Sequence, residues 1–274
     1  MSIQEFPNVA YGTQSAAQQM DVYLPEGAAG ERNVVLIIHG GGWMMGDKHD
    51  HTRDAERFAQ RGFVSAGMNY RLLSVEHPVS FAEMVDDVEN AVIKLDAFLR
   101  GMGITPRKLA ITGVSAGGHL TLLYAATRLA DCKIPVAFLA PDVGPSDFTD
   151  EGYLAMHDTD EILPLVSGLV GQEVTVQDLQ NKAPALQAAS PLFHITGAAP
   201  PMLLRYGGKD ELVPLSNGTR LKTALDAAGV PNDFFVYENS GHGLNNIKNE
   251  PGTDYAVHQA YTAALEDYLT RYFS

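Results

Sequence analysis

The chain has 274 residues, 45% of them hydrophobic, which is enough for one large globular domain with a sizeable core. It carries 19 Lys and Arg against 33 Asp and Glu, a formal charge of −14. Because a phosphate backbone or an anionic membrane surface would repel this charge, neither nucleic acid nor a membrane is an expected partner. The acidic residues are spread along the sequence, and we interpret them as solvated surface rather than as a site that steers a cationic substrate.

Cysteine usage and the N-terminal sequence bear on the compartment. Cys132 is the only cysteine, which excludes an intrachain disulfide and a thiolate metal cluster. No basic residue precedes Arg32 and no apolar run opens the sequence, so we expect no secretory signal and a cytoplasmic location. The longest apolar runs, 34–38 and 136–140, are far shorter than the roughly 20 residues that cross a bilayer, which predicts a soluble protein.

Short β-rich runs alternate with longer helical patterns, an order typical of βαβ units and of a mostly parallel sheet with helices on both faces. The predicted strands are Met20–Leu24, Val34–Ile38, Val64–Met68, Lys108–Thr112, Val136–Leu139, Met202–Tyr206 and Phe234–Tyr237. The predicted helices are Phe81–Leu99, Ala116–Ala130, Leu215–Ala228 and Asp254–Tyr272. The sequence therefore predicts an α/β fold in a single domain, 1–274.

The stretch 146–200 interrupts this alternation. It lacks a clear strand and contains mixed signals, such as those of 158–169 and of a Pro-Pro pair at its end. Long connections in α/β enzymes commonly shape a pocket or a lid. We interpret this stretch as a small insertion over the sheet that shapes the pocket, the alternative being a surface excursion without a role.

The strongest local signal is the sequence Gly-Val-Ser-Ala-Gly-Gly at 113–118, which lies between a predicted strand and a predicted helix. A G-x-S-x-G sequence in this context places its serine on a sharp, strained turn, where small flanking residues avoid a backbone clash. The helix that begins there directs N–H groups and the positive end of its dipole toward a developing oxyanion. We therefore predict that Ser115 is a nucleophile and that the Ala116 N–H is an oxyanion donor.

Three consecutive glycines follow the predicted strand Val34–Ile38, in the sequence His-Gly-Gly-Gly-Trp at 39–43. Without Cβ atoms the backbone can approach a ligand closely and turn its N–H groups inward, as an oxyanion hole requires. Gly41 and Gly42 are the predicted donors beside Ala116. Each well-placed donor stabilises the transition state by about 3 kcal/mol.

A serine hydroxyl needs a base, and nine histidines are candidates. His242 follows the last predicted strand in a Ser-Gly-His-Gly loop, where a side chain can reach across the carboxyl edge of a parallel sheet. It is the predicted base. We interpret His39 and His119 as packing or hydrogen-bonding residues. His49 and His51 could suggest a metal, but no third ligand is indicated, so no metal is predicted.

The base needs a carboxylate that holds it in the right tautomer. Asp210 ends a Gly-Gly-Lys-Asp turn after the predicted strand Met202–Tyr206, which places it on the same edge as His242. The resulting order along the chain, nucleophile then acid then base, is the one expected for this kind of fold. Asp142 and Glu238 are the rival acids, and a buried ion pair or a turn would explain either of them.

Five motifs together resemble those of one known family. They are 39–43, Tyr70-Arg71-Leu72 with the following His77-Pro78, 113–118, Asp210 in Asp-Glu-Leu-Val-Pro, and 240–243. On these motifs the chain resembles the hormone-sensitive-lipase-like and bacterial carboxylesterase branch of the α/β-hydrolases over nearly its whole length. The resemblance implies an eight-stranded sheet whose second strand is antiparallel, and hydrolysis of carboxylic esters without a cofactor. Little sequence precedes Met20, so the long N-terminal cap of larger members is not expected, which argues against bulky lipid substrates.

These observations predict a serine carboxylesterase that acts on a small-molecule ester through an acyl-enzyme. We expect short acyl groups, acetyl to butyryl, and predict a pocket lined by Trp43, Phe148, Tyr153, Leu163, Leu192 and Phe193. One alternative is an aryl-formamidase-like amidase, because such enzymes share the glycine-rich loop. Another is a non-catalytic ligand receptor on the same scaffold, against which the intact triad argues. The sequence leaves the oligomeric state open.

Overall fold

Eight strands build one sheet in the computed structural model, which describes residues 2–274. The strands are β1 (Ile3–Ala10), β2 (Gln19–Pro25), β3 (Gly30–Ile38), β4 (Val64–Met68), β5 (Ile104–Val114), β6 (Val136–Asp142), β7 (Met202–Gly207) and β8 (Asn232–Tyr237). They lie in the order β1-β2-β4-β3-β5-β6-β7-β8. β2 is antiparallel to both of its neighbours and the other pairs are parallel. The mostly parallel sheet with an antiparallel second strand is therefore confirmed.

Seven of these strands match the seven that were predicted, whereas β1 was missed. β1 lies at the edge of the sheet and none of its residues is fully buried. Pro7 and Asn8 interrupt the strand, and its register shifts between Phe6 and Val9. An exposed edge strand with such an irregularity has no apolar alternation by which it could be predicted.

Helices cover both faces of the sheet. They are α1 (Thr52–Gln60), α2 (Phe81–Gly101), α3 (Ala116–Arg128), α4 (Glu151–Ala155), α5 (Thr159–Val170), α6 (Val176–Gln180), α7 (Pro184–Ala189), α8 (Leu215–Ala227) and α9 (Tyr255–Phe273). In β3, Val34, Leu36 and Ile38 belong to the core shared with α2, α3 and α8. Val35 and Ile37 belong to the core shared with α1 and α9. Because successive side chains of a strand point to opposite faces, a strand covered on both sides is a continuous apolar run.

The connection from β6 to β7 contains the short helices α4 to α7, so the stretch 146–200 is helical; we call it the cap segment. Its beginning is tied to α8 by the side chains of Ser216, Asn217 and Arg220. The side-chain oxygen Oδ1 of Asn217 accepts the N–H groups of Ser146 and Asp147, and its side-chain Nδ2 donates to the Asp150 carboxylate. The cap segment is thereby fixed beside the loop that follows β7. None of the helices in residues 2–274 has the length and apolar character needed to cross a membrane.

Candidate active site

Ser115 occupies the sharp turn from β5 into α3, with φ +56° and ψ −118°. Its N–H donates to the Asp142 carbonyl and its own carbonyl accepts from the His119 N–H, both at 2.9 Å. The side chain is partly exposed. A non-glycine residue held in this region of φ and ψ is strained, and such strain is concentrated at functional sites.

Two glycines make room for this turn. A Cβ on Gly117 would lie 2.1 Å from the Ile38 carbonyl oxygen, and a Cβ on Gly113 would lie 2.4 Å from the Gly117 carbonyl oxygen. Both contacts would be with backbone, which cannot move aside as a flexible side chain can. The glycines of the G-x-S-x-G sequence are therefore required by the packing of β3 and β5 against the start of α3.

Asp210 and His242 are joined by a hydrogen bond at the carboxyl edge of the sheet, in the turns after β7 and β8. The distance from His242 Nδ1 to Asp210 Oδ2 is 2.8 Å, while Asp210 Oδ1 accepts the N–H groups of Leu212 and Val213 at 2.9 Å each. Asp210 is buried and the His242 side chain is 23% exposed. With Nδ1 engaged by the carboxylate, Nε2 is left free to act as a base.

Ser115 and His242 come to the same edge by topology, since β5 and β8 run parallel in one sheet. Within residues 2–274 no hydrogen bond joins the Ser115 hydroxyl to His242. Catalytic hydrogen bonds are commonly long before substrate binds, so this geometry is compatible with a serine and histidine pair.

The His242 loop is held by Asp254, a residue that the sequence identified only as the start of the last helix. Asp254 is buried, and its carboxylate accepts the Asn239 N–H and the Ser240 hydroxyl. The Ser240 oxygen in turn accepts the Asn246 N–H at 3.2 Å. The loop that carries His242 is therefore closed by a hydrogen-bonded network on both sides. No sequence motif indicates this role.

The glycine turn after β3 lies directly against Ser115. A Cβ on Gly40 would lie 2.9 Å from the Val114 carbonyl oxygen, so the two loops touch through their backbones. Gly41 and Gly42 have φ values of +112° and +59°, which favour glycine. The Gly41 carbonyl accepts the Met44 N–H, but within residues 2–274 the N–H groups of Gly41 and Gly42 donate to no acceptor. Such unpaired donors are what an oxyanion hole requires.

Two other histidines near this turn are packing residues, as predicted. The His39 ring stacks on Tyr70 with centroids 4.4 Å apart, and its Nδ1 lies 2.7 Å from the Gly40 carbonyl oxygen. Burial lowers the pKa of His39. His119 is fully buried with Nε2 2.9 Å from the Ala189 carbonyl oxygen, and burial lowers the pKa of its ring to about 4. Both rings are neutral at pH 7.

The two rival acids are accounted for elsewhere. Both oxygens of Asp142 are bonded to the Arg205 guanidinium, and Tyr261 adds a longer contact. Glu238 is exposed. Asp142 is thus the member of a buried ion pair, which leaves Asp210 as the carboxylate in contact with His242.

The histidines at 49 and 51 do not form a cluster. The His49 side chain is 63% exposed and contacts Asp47 and Asp21, while His51 pairs with Asp54. Across the part of the chain that the structure describes, no three His, Cys, Asp or Glu side chains are grouped so as to hold a metal ion.

The six residues that were predicted to line the substrate pocket divide into a packed aromatic cluster and three less buried side chains. Trp43, Phe148 and Tyr153 are core side chains that are at most 3% exposed. Leu163 and Leu192 are half-buried against the core, and Phe193 is 45% exposed. None of the six lines any of the five main cavities of residues 2–274. The structure corrects this part of the prediction, because the aromatic rings fill the core instead of bounding a space.

A cavity that the sequence did not predict lies beside the glycine turn. Its wall includes Met44 from the turn, Leu73 from the loop after β4, and Ile162 and Leu165 from α5. These side chains come from three distant segments, so no local pattern groups them. The one signal in the sequence is the pair Met44-Met45 after Trp43. Both side chains are exposed in the structure.

Comparisons with known proteins agree with this fold. The sequence profile of the BD-FAE family matches residues 20–225, and that of the dienelactone hydrolase family matches residues 180–273. A probable carboxylic ester hydrolase, LipM of Mycobacterium tuberculosis, is 30% identical over 221 residues, 76% of this chain and 48% of that protein. Esterase LipQ of the same organism is 28% identical over 236 residues, 81% of this chain and 53% of that protein. The chain spans about half the length of these curated relatives.

Solved structures share the architecture. A truncated carbohydrate esterase from gut microbiota has a TM-score of 0.78 at 21% identity, covering 98% of this chain and 95% of that one. Esterase Est2 of Thermogutta terrifontis, solved with propionate and with butyrate bound, has a TM-score of 0.72 at 24% identity, covering 96% and 93%. At these identities the likeness is one of fold, and the α/β-hydrolase fold is confirmed. Because its profile matches well over half of the sequence, the chain belongs to the BD-FAE family of α/β-hydrolases.

Proposed function

We propose that this protein is a serine carboxylesterase that hydrolyses short-chain acyl esters through an acyl-enzyme. The observation that carries the proposal is the Asp210 and His242 hydrogen bond, at the same sheet edge as a serine on a strained turn. The names of the relatives, carboxylic ester hydrolase and esterase, support the same reaction class.

In the first step His242 Nε2 takes the proton of the Ser115 hydroxyl as its oxygen attacks the ester carbonyl. The N–H groups of Gly41, Gly42 and Ala116 donate to the oxyanion that forms. When the tetrahedral intermediate collapses, the protonated histidine gives its proton to the departing alcohol. The acyl group remains on the serine oxygen.

In the second step water attacks the acyl-enzyme and His242 takes a proton from it. Collapse of the second tetrahedral intermediate releases the carboxylic acid and returns the proton to the serine oxygen. Asp210 stabilises the imidazolium in both steps without itself becoming protonated. Its other oxygen accepts two backbone N–H groups, from Leu212 and Val213, which fix the orientation of the carboxylate.

Two observations support a short acyl group. The aromatic core beside the nucleophile is densely packed. The centroid of the Trp43 ring lies 5.4 Å from that of His119 and 5.9 Å from that of Phe148. This packing leaves little room behind the serine for a long chain. In addition, the structurally similar Est2 was solved with propionate and with butyrate bound.

The proposal is tested by replacing the nucleophile. We expect Ser115→Ala to lower kcat for p-nitrophenyl butyrate by at least about 10⁴-fold, since the triad acts as a unit, while the circular dichroism spectrum stays that of the wild type. A fluorophosphonate probe should label the wild-type protein and not the variant. Turnover by the variant close to the wild-type value would rule out this assignment, and an unlabelled wild-type protein would favour a non-catalytic receptor.

The acyl preference is tested by a series of p-nitrophenyl esters from acetate to laurate. We expect kcat/KM to be highest between acetate and butyrate and to fall beyond them, because longer chains would have to displace packed aromatic side chains. A maximum at laurate would contradict the short-chain assignment and leave the esterase assignment intact.

A further inference from the structure

An apolar groove of about 530 Å³ lies beside the glycine turn. Met44 and the loop residues Leu73 and Val75 form one wall, and Ile162 and Leu165 of α5 form the other. Met44 is 49% exposed and the Val75 side chain is fully exposed, so much of this apolar surface faces solvent. The volume is in the range of small-molecule sites in proteins.

The groove connects two loops of the candidate active site. On one side Met44 stands two residues after Gly42, and the Leu73 N–H donates to the Trp43 carbonyl at 2.9 Å. On the other side the groove is lined by His157, whose Nε2 lies 3.1 Å from the Leu212 carbonyl oxygen. The Leu212 N–H is one of the donors to Asp210. The groove therefore begins at the glycine turn and ends at His157, which contacts the loop that holds Asp210.

Polar groups are few in this groove, and each already forms one hydrogen bond. Ser74 and His157 are the two lining residues whose side chains can form hydrogen bonds. The Ser74 hydroxyl oxygen accepts the His77 N–H, and the His157 ring is bonded to Leu212. A ligand with many hydroxyl groups would lose hydrogen bonds to water here and find few replacements, which is unfavourable. An alkyl or aryl group would lose nothing and would cover exposed apolar surface.

We propose, on the basis of the esterase function above, that this groove binds the alcohol portion of the substrate and that this alcohol is apolar rather than a sugar. The reaction mechanism indicates why the groove would hold the alcohol portion and not the acyl portion. The leaving oxygen must receive its proton from His242, so the departing group lies on the side of the Asp210 and His242 pair. His157 brings the groove wall to that side through Leu212.

The test compares two ester series on the full chain. Acetates of ethanol, butanol and hexanol vary the alcohol, and ethyl esters from acetate to hexanoate vary the acyl group. Xylose tetraacetate is an acetate whose alcohol portion is a sugar. We expect kcat/KM to rise along the alcohol series by about twofold to fourfold for each methylene that the groove covers. We also expect hexyl acetate to be a better substrate than xylose tetraacetate.

Variants then locate the effect. Leu165→Ser should lower the hexyl-to-ethyl acetate ratio of kcat/KM by about fivefold. Val75→Ser should lower the ratio in the same direction, and since its side chain is fully exposed this change cannot disturb the core. Ile93→Ser is the matched control, because Ile93 is an exposed apolar residue of α2 outside the groove and should leave the ratio unchanged.

The outcomes separate this inference from the proposed function. If ethyl acetate is hydrolysed but the alcohol series is flat, or if xylose tetraacetate is the better substrate, the inference is wrong and the esterase function stands. If Leu165→Ser changes the acyl series instead of the alcohol series, the groove holds the acyl group and the inference is again wrong. If no ester is hydrolysed, both fail together.

Discussion

The backbone of Ser115 lies in a region that costs a non-glycine residue about 1–3 kcal/mol. Its φ of +56° is maintained by hydrogen bonds on both sides of the residue and by two glycines that let β3, β5 and α3 approach closely. The strain thus exists only because the surrounding packing imposes it. Its benefit is an exposed hydroxyl beside the start of a helix.

Gly117 is the residue at which this packing can be tested. Because a Cβ there would meet the Ile38 carbonyl oxygen at 2.1 Å, Gly117→Ala should lower the free energy of unfolding by about 3 kcal/mol or more. Gly101→Ala is the control, since a Cβ at Gly101 in α2 has nothing within 4 Å and should stabilise the chain by about 0.4–1 kcal/mol. Urea unfolding measures both. If Gly117→Ala and Gly101→Ala had equal free energies of unfolding, the turn at Ser115 would be able to relax around the added Cβ.

Asp210 and Asp142 are both buried acids at this edge. Replacing Asp210 should mainly lower activity, whereas replacing Asp142 should mainly lower stability. Asp210→Asn removes the acceptor that fixes the His242 tautomer, so kcat should fall by about 10⁴-fold with a smaller change in stability. Asp142→Asn leaves the charge of Arg205 without its partner and should destabilise the fold by about 3 kcal/mol, while the folded fraction stays active. Ester hydrolysis and urea unfolding of each variant test this contrast, and the reverse pattern would make Asp142 the acid.

At the level of elements, the His242 loop depends on the start of α9. Asp254 bonds the Asn239 N–H and the Ser240 hydroxyl and does not touch the reacting atoms, so it is a positioning residue. Asp254→Asn should lower kcat by about 10- to 100-fold with KM nearly unchanged, because a small displacement of a catalytic group costs rate rather than ground-state binding. Retained kcat would show that the loop is held by its other contacts.

The central strands were predictable because each is an apolar run covered on both faces, and β4 was predicted with its observed bounds. The candidate triad was predictable for a related reason, since its residues follow such strands and parallel strands end at one edge. β1 and the short helices of the cap segment were not, because exposed or irregular segments carry no strong apolar period. Their positions are set by tertiary contacts such as those of Asn217 with the cap segment.

The substrate groove shows the limit of sequence patterns most clearly. Trp43 follows the glycines and therefore seemed suited to a pocket, yet its ring is buried, while the adjacent Met44 lines the groove. Which of two neighbouring side chains points inward depends on the backbone. Trp43 has a φ of +62°, which no local pattern predicts for a tryptophan.

At the scale of the whole molecule, histidines whose pKa is lowered in the folded chain link folding to pH. The pKa of His39 and that of His258 are lowered by burial, and the pKa of His119 is lowered furthest, to about 4. All three favour the folded state less as the pH falls, because the unfolded chain takes up protons that the folded chain excludes. The formal net charge of −14 also makes stability depend on pH. This contribution comes from the whole chain and would remain if one histidine were replaced.

His119 isolates this effect. Its pKa is about 4 in the folded chain against 6.5 when unperturbed, so its contribution is complete above pH 6.5 and is lost progressively toward pH 4. The loss between pH 7 and pH 4 amounts to about 3 kcal/mol. His119→Gln, whose side chain does not titrate, should therefore lose less stability over this range than the wild type, by about that amount. Urea unfolding at pH 7, 5.5 and 4.5 measures the difference.

The control is Phe81→Leu, because Phe81 contacts the same ring. This variant should lower stability by a similar amount at each pH. If His119→Gln follows the wild-type pH dependence instead, the ring accepts a proton in the folded state and the aromatic core around it is open to water.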